Sequence, residues 1–280
     1  MKRGLIKFLT AFLFLIGVAM MAYPFVGNWY NGRHQGEVIE NYEEVVNEMK
    51  EVTMEQEFEK AQAYNEGLLG QVVLSDPFQA EPESESSSTY NSILNTNDEG
   101  MMGYVQIPKI NVKLPIYHST SPEALKKGVG HLEKSSLPIG GSASHAVLSA
   151  HTGYPTAEFF TNLTKVQDGD SFYLVILNKT LAYKVDQIKV VEPTDISALQ
   201  IDRSQDYVTL VTCTPYGVNS HRLLVRGVRT DYEEAVKEET KEKDEVKDLS
   251  YLKAGLFCLF LIVVCAGFFW ILHKRKRNNE

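Results

Sequence analysis

Cysteine is scarce: the 280-residue chain has three. Cys258 and Cys265 stand inside an apolar run near the C-terminus, where they read as small packing residues or lipidation points. Only Cys213 remains in the body of the chain. Structural zinc sites want several cysteines, so cysteine-based metal binding is excluded by number, and neither metal nor cofactor is expected. Basic charge is also short, with 28 Lys and Arg against 36 Asp and Glu for a formal net charge of -8. A phosphate-binding surface needs a basic excess, and no basic stripe lies in mid-chain. Nucleic acid is therefore excluded as a partner. No internal repeat is visible, and the length suits one substantial domain with tails.

Two long apolar runs are present, at opposite ends. The first, 8–26, follows Lys2, Arg3 and Lys7; the second, 254–272, precedes Lys274, Arg275, Lys276 and Arg277. Each is about 19 residues, and at ~1.5 Å per residue nearly spans the hydrocarbon core. A cleaved signal peptide is the alternative for the first, but bulky Met20 stands where cleavage wants a small residue. An uncleaved anchor is expected. Basic residues flank the outer end of both runs, which places both termini in the cytoplasm and 28–250 outside. That compartment permits disulfides, so a lone external thiol is either a liability or a nucleophile.

Between the runs, Val38, Ile39, Tyr42, Val45, Val46, Met49 and Val52 recur at three- and four-residue steps, the period of an amphipathic helix over about 38–68. It packs on the domain or forms a stalk. Residues 71–80 lose the period, and Glu81-Pro-Glu-Ser-Glu-Ser-Ser-Ser88 reads as a flexible acidic connection. From Met101 to Thr230 strands dominate: 104–107, 112–117, 145–150, 172–177 turning at 178–180 into 181–185, then 188–191, 207–213 and 222–228. Short helices fit 122–127 and 157–163. Seven or eight strands at this spacing suggest a closed barrel or a sandwich, and pattern alone does not choose. The charged segment 231–248 reads as a solvated stalk.

Tyr207-Val-Thr-Leu-Val-Thr-Cys213 is a strand ending on the lone cysteine, and the chain returns after a loop as His221-Arg-Leu-Leu-Val-Arg226. Symmetric antiparallel pairing about Gly217 and Val218 would set Cys213 opposite Arg222, with Cα atoms about 4.5–5.5 Å apart. A cation there favours the thiolate. Composition alone equally allows an inert buried thiol and a surface arginine. A thiol nucleophile usually needs an imidazole partner. His34, His118, His131, His145, His151 and His221 are the external candidates. His151 stands out because it leaves the buried run 146–150 just before Thr152-Gly153.

Thr209-Leu-Val-Thr-Cys213 resembles the Thr-Leu-x-Thr-Cys signature of sortases, Arg222 stands at the spacing of the sortase arginine, and Leu148-Ser-Ala-His-Thr-Gly153 is similar to the histidine motif. The run 212–227, the lid-like Asp76-Pro77-Phe78 and a second apolar run resemble class C, the pilin-polymerising sortases. The resemblance implies an all-β-dominated fold with short helices, an eight-stranded barrel preceded by a helical and lid region and flanked by two transmembrane helices. Its layout would be an anchor at 1–27, a helical region with lid (71–80) and linker at 28–100, and the catalytic barrel at 101–230. A stalk at 231–250, a membrane helix at 251–273 and a cytoplasmic tail at 274–280 would follow.

By the same resemblance Cys213 would attack the Thr–Gly carbonyl of an LPXTG-type sorting signal. His151 would protonate the leaving amine and then deprotonate the incoming one, and Arg222 would position substrate or stabilise the oxyanion. Asp76 would pair with Arg222 and Phe78 would cover Cys213. The implied partners are pilin subunits carrying a sorting signal and an acceptor lysine, together with the membrane. A hydrolytic cysteine peptidase is the alternative. A non-catalytic, wall-anchored surface protein is weaker, since Leu114-Pro-Ile-Tyr117 and Leu137-Pro-Ile-Gly140 lack Thr-Gly.

Overall fold

The computed structural model describes residues 2–68, 74–78, 88–96 and 100–236. Residues up to Tyr232 form one compact unit; Glu233–Glu280 form a second, of which only the first few residues are described. Eight strands close into a barrel: β1 (Met101–Ile107), β2 (Val112–His118), β3 (Val129–His131), β4 (Ser144–Ser149), β5 (Ser171–Ile176), β6 (Lys179–Val191), β7 (Asp206–Thr214) and β8 (His221–Thr230). They neighbour one another in the order β1-β2-β3-β4-β7-β8-β6-β5, and β5 pairs back onto β1. The β2–β3 and β4–β7 pairs are parallel and the rest antiparallel. Closure, which the pattern of strands left open, leaves no free edge in the sheet.

Several expectations shift in detail. The runs at 181–185 and 188–191 are one strand, β6, with a bulge at Asp186, where the register slips between Val185 and Gln187. A bulge breaks the period-2 pattern without ending the strand. The β5–β6 turn is Leu177–Asn178, earlier than 178–180, because Ile176 already pairs with Lys179. No α-helix forms at 157–163; turns lead to a 3-10 segment at Leu163–Lys165. One N–H of the stretch is drawn away, Phe160 N donating to His151 O at 3.1 Å, others close local turns, and Phe159 takes a positive φ. Strand β3 and the helix α3 (Ser88–Ser92) were not anticipated. Ser88, placed in the acidic connection, opens that helix, while 79–87 lie outside the described residues.

The amphipathic period corresponds to two helices. Helix α1 (Lys2–Glu48) runs on from the apolar run without interruption, and α2 (Glu51–Gly67) follows a break at Met49–Lys50. Ile39, Tyr42 and Val46 are buried on the barrel, whereas Val52 is exposed. The helix is docked: the Tyr42 hydroxyl donates to Met102 O (3.0 Å) and accepts from Leu177 N (2.8 Å), pinning the β5–β6 turn. Asn65 of α2 exchanges two hydrogen bonds with the backbone of Leu137. Helix α4 (Pro122–Lys127) forms where expected, capped by Ser121, whose hydroxyl accepts from Ala124 N.

Among the described residues no helix is long and apolar enough to cross a membrane. The first expected span falls in α1, where many side chains are not described; the second, at 254–272, lies outside the described residues.

Candidate active site

Strand alternation sorts the residues of β4, β7 and β8 onto two faces. Ala146, Leu148, Val208, Leu210, Leu223 and Val225 join the main core. Val147, Val211 and Leu224 point the other way, into a small separate cluster with Leu132, Leu199 and Leu74. Cys213, Arg222 and His151 keep the parity of the second set, so all three belong to that outer face.

Register brings them level. Cys213 pairs directly with Arg222 across β7 and β8, the register symmetry predicts. Strands β4 and β7 run parallel with Ser149 beside Val211, and Ala150 N still donates to Val211 O at 3.1 Å. Continuing that register two residues sets His151 beside Cys213. The Thr212 hydroxyl donates to Ala150 O at 2.7 Å, so the residues preceding the cysteine and the histidine are tied together. The histidine, cysteine and arginine thus stand abreast at the ends of three adjacent strands, His151 two residues past the end of β4.

The other threonine of the run, Thr209, meets His145 Nε2 at 2.7 Å, while His145 Nδ1 lies 2.8 Å from Gln200 O. This buried link holds the β6–β7 loop, a role that sequence reasoning did not assign. His118, His131 and His145 are buried with backbone partners elsewhere; among the candidate histidines the structure brings His151 to the cysteine.

Segment 74–78 lies across this face. Asp76 makes a bidentate pair with Arg222, Nε to Oδ1 at 2.8 Å and Nη2 to Oδ2 at 2.6 Å. The side chains are 2% and 10% exposed, so this is a buried pair. Asp76 Oδ1 also accepts from Phe78 N at 3.3 Å, closing a turn over Pro77. The Phe78 ring lies 5.8 Å from the His151 ring and 5.2 Å from the Arg222 guanidinium. The ring therefore reaches both residues that flank Cys213. Leu74 anchors the segment in the outer cluster.

A sortase-domain family model matches residues 105–230. The crystal structure of Streptococcus agalactiae sortase C1 in complex with MTSET shares 45% identity at a TM-score of 0.64, over 69% of this chain and 97% of that one. Streptococcus pneumoniae sortase C shares 44% at 0.62, over 70% and 97%. The chain is a class C sortase. Among curated relatives, Staphylococcus aureus sortase A is 26% identical over 73% of this chain and 84% of its own. Bacillus subtilis sortase D is 28% identical over 54% and 78%.

As a sortase the chain is a cysteine transpeptidase. Burial pushes the Cys213 thiol up, Arg222 pulls it down, and Asp76 pushes it up again. The net direction is upward, so burial, the largest effect, together with Asp76 outweighs the thiolate-favouring pull of Arg222. Burial lowers His151. Its ring is held by stacking on Tyr154 (5.6 Å, 18°), and among the described residues no hydrogen bond fixes either ring nitrogen. No group of His, Cys, Asp and Glu suited to a metal occurs among the described residues.

Proposed function

We propose that this sortase cleaves an LPXTG-type sorting signal between Thr and Gly and joins the new carboxyl end to a lysine of the next pilin subunit. The observation that carries the reading is the level set of His151, Cys213 and Arg222 on one barrel face. The 45% identity to a sortase C1 supports it, as does the sortase C structure described in terms of pilin substrate specificity.

Cys213 Sγ attacks the threonine carbonyl as His151 takes the thiol proton. Arg222, released from Asp76, donates to the developing oxyanion or positions the signal. The C–N bond to glycine breaks, His151 returns the proton to the leaving amine, and a thioester remains. A lysine Nζ then attacks the thioester carbonyl, losing a proton to His151. The C–S bond breaks, an isopeptide bond forms and the proton returns to the cysteine. Asp76, Pro77 and Phe78 act as a lid, because Asp76 occupies Arg222 and Phe78 reaches both residues that flank Cys213. The barrel stands outside the plasma membrane with both termini inside, as the charge flanking the apolar runs argues.

The test is mass spectrometry of the full-length protein incubated with a sorting-signal donor, with and without a lysine-bearing acceptor. An acyl adduct on Cys213 and an amide-linked product are expected. A free acid as the sole product in both cases would make the chain a hydrolytic peptidase, and no adduct on Cys213 would sink the thioester step.

A further inference from the structure

Ser149 is wholly buried, at 0% exposure, and its hydroxyl has no hydrogen-bond partner among the described residues. A buried hydroxyl left unpaired carries the full cost of its lost hydration, so natural structures rarely keep one without cause. Its surroundings explain why nothing answers it. On one side it pairs with Gly130, which has no side chain, and on the other with Val211, which has no polar side-chain atom. Along its own strand the neighbours on the same face are Val147 and His151.

That face is the one holding Cys213 and Arg222, and Leu74 packs in its apolar cluster while Phe78 reaches His151. Two residues along a strand span about 6.5 Å, so Ser149 sits that far from the level of the thiol, between Val147 and Val211 on the face where Leu74 packs.

We infer that Ser149 is a substrate-binding residue whose partner arrives only with the donor. When 74–78 leaves, its Oγ donates to a backbone carbonyl of the donor peptide about two residues before the scissile bond. The partner is main chain, so the contact reads an extended peptide rather than a particular side chain. The inference rests on the transpeptidase reading above and adds to it one specific contact.

The experiment uses full-length protein in detergent micelles, in an Asp76→Ala background that loosens the lid so that gating does not mask binding. Phe78→Ala serves if Asp76→Ala does not fold. Three quantities are compared with and without Ser149→Ala: kcat/KM for a sorting-signal peptide, the rate of Cys213 alkylation by a small thiol reagent, and Tm. One lost neutral hydrogen bond predicts a fall in kcat/KM of about 3- to 10-fold, with alkylation unchanged and Tm equal or higher. Unchanged kcat/KM overturns the inference. So does a lowered Tm or an altered alkylation rate, since either would mean the hydroxyl serves the resting fold. If the lid-loosened parent cleaves no such peptide, the proposed function fails and takes this inference with it. Cleavage indifferent to Ser149 overturns the inference alone.

Discussion

Asp76 and Phe78 are unequal locks, and their ranking depends on burial. Read as a surface pair, Asp76 with Arg222 would contribute about 0–1 kcal/mol, and a fully covered Phe78 would dominate. In the structure the pair is buried and bidentate, while Phe78 is only partly covered. Removing one partner of a buried pair costs on the order of 3–5 kcal/mol. Asp76→Ala should therefore raise Cys213 alkylation at least as much as Phe78→Ala, and should lower the thiol pKa by removing a carboxylate that holds it up. Equal alkylation rates in wild type and both variants would show that the segment gates nothing. Arg222→Lys should lose on the order of 10²-fold in kcat/KM if the fork serves an oxyanion, because a point charge cannot replace two directed donors. Near-wild-type turnover would leave Arg222 a charge role or none. Cys213 and Arg222 were legible at this scale because the register of the β7–β8 hairpin is encoded locally, whereas His151 rested on the resemblance, since it is brought level by the sequence-distant parallel pairing of β4 with β7. Ser149 was not legible, since an unpaired hydroxyl is visible only once its neighbours are known.

Helix α1 depends on one side chain for its seat over the β5–β6 turn. Tyr42→Phe leaves Met102 O and Leu177 N without their shared partner. The expected loss is about 2–4 kcal/mol, or roughly 5–15 °C in Tm. An unchanged melting curve would mean that this bridge contributes nothing to the fold. Elements with a strong local signal were readable: α4 carries its own cap and proline, and β7 and β8 are short apolar runs buried along consecutive residues. The missed ones lack local signal. Three-residue β3 is defined by its partners β2 and β4, and 157–163 gives up its helix to hydrogen bonds with the loop after β4. The bulge at Asp186, which pairs with Arg226, hid the continuity of β6.

For the whole molecule, two buried histidines set a pH limit. Burial lowers His131 and His145 to about 4. The unfolded chain binds these protons near pH 6.5 and the native state does not, so stability is full above that pH. It should fall as pH drops towards 4, by up to roughly 3 kcal/mol per histidine. Denaturant midpoints at pH 7.5 and 4.5 check this, and no decrease would contradict it. Closure of the barrel was implied only by resemblance, because it depends on β5 meeting β1, strands about half the barrel domain apart in sequence. Gly27, just past the N-terminal apolar run, packs so tightly on Thr156 that a Cβ there would approach its side chain to 2.7 Å. Asn31 donates to Thr156 O at 2.7 Å. Thr156 lies five residues beyond His151, on the loop leaving the site. With the apolar run embedded as proposed, the reaction centre has a fixed altitude, close above the lipid headgroups. Substrates would then be chosen partly by distance: a peptide bond a short tether above its own membrane segment is within reach, and the same bond on a long stalk passes overhead.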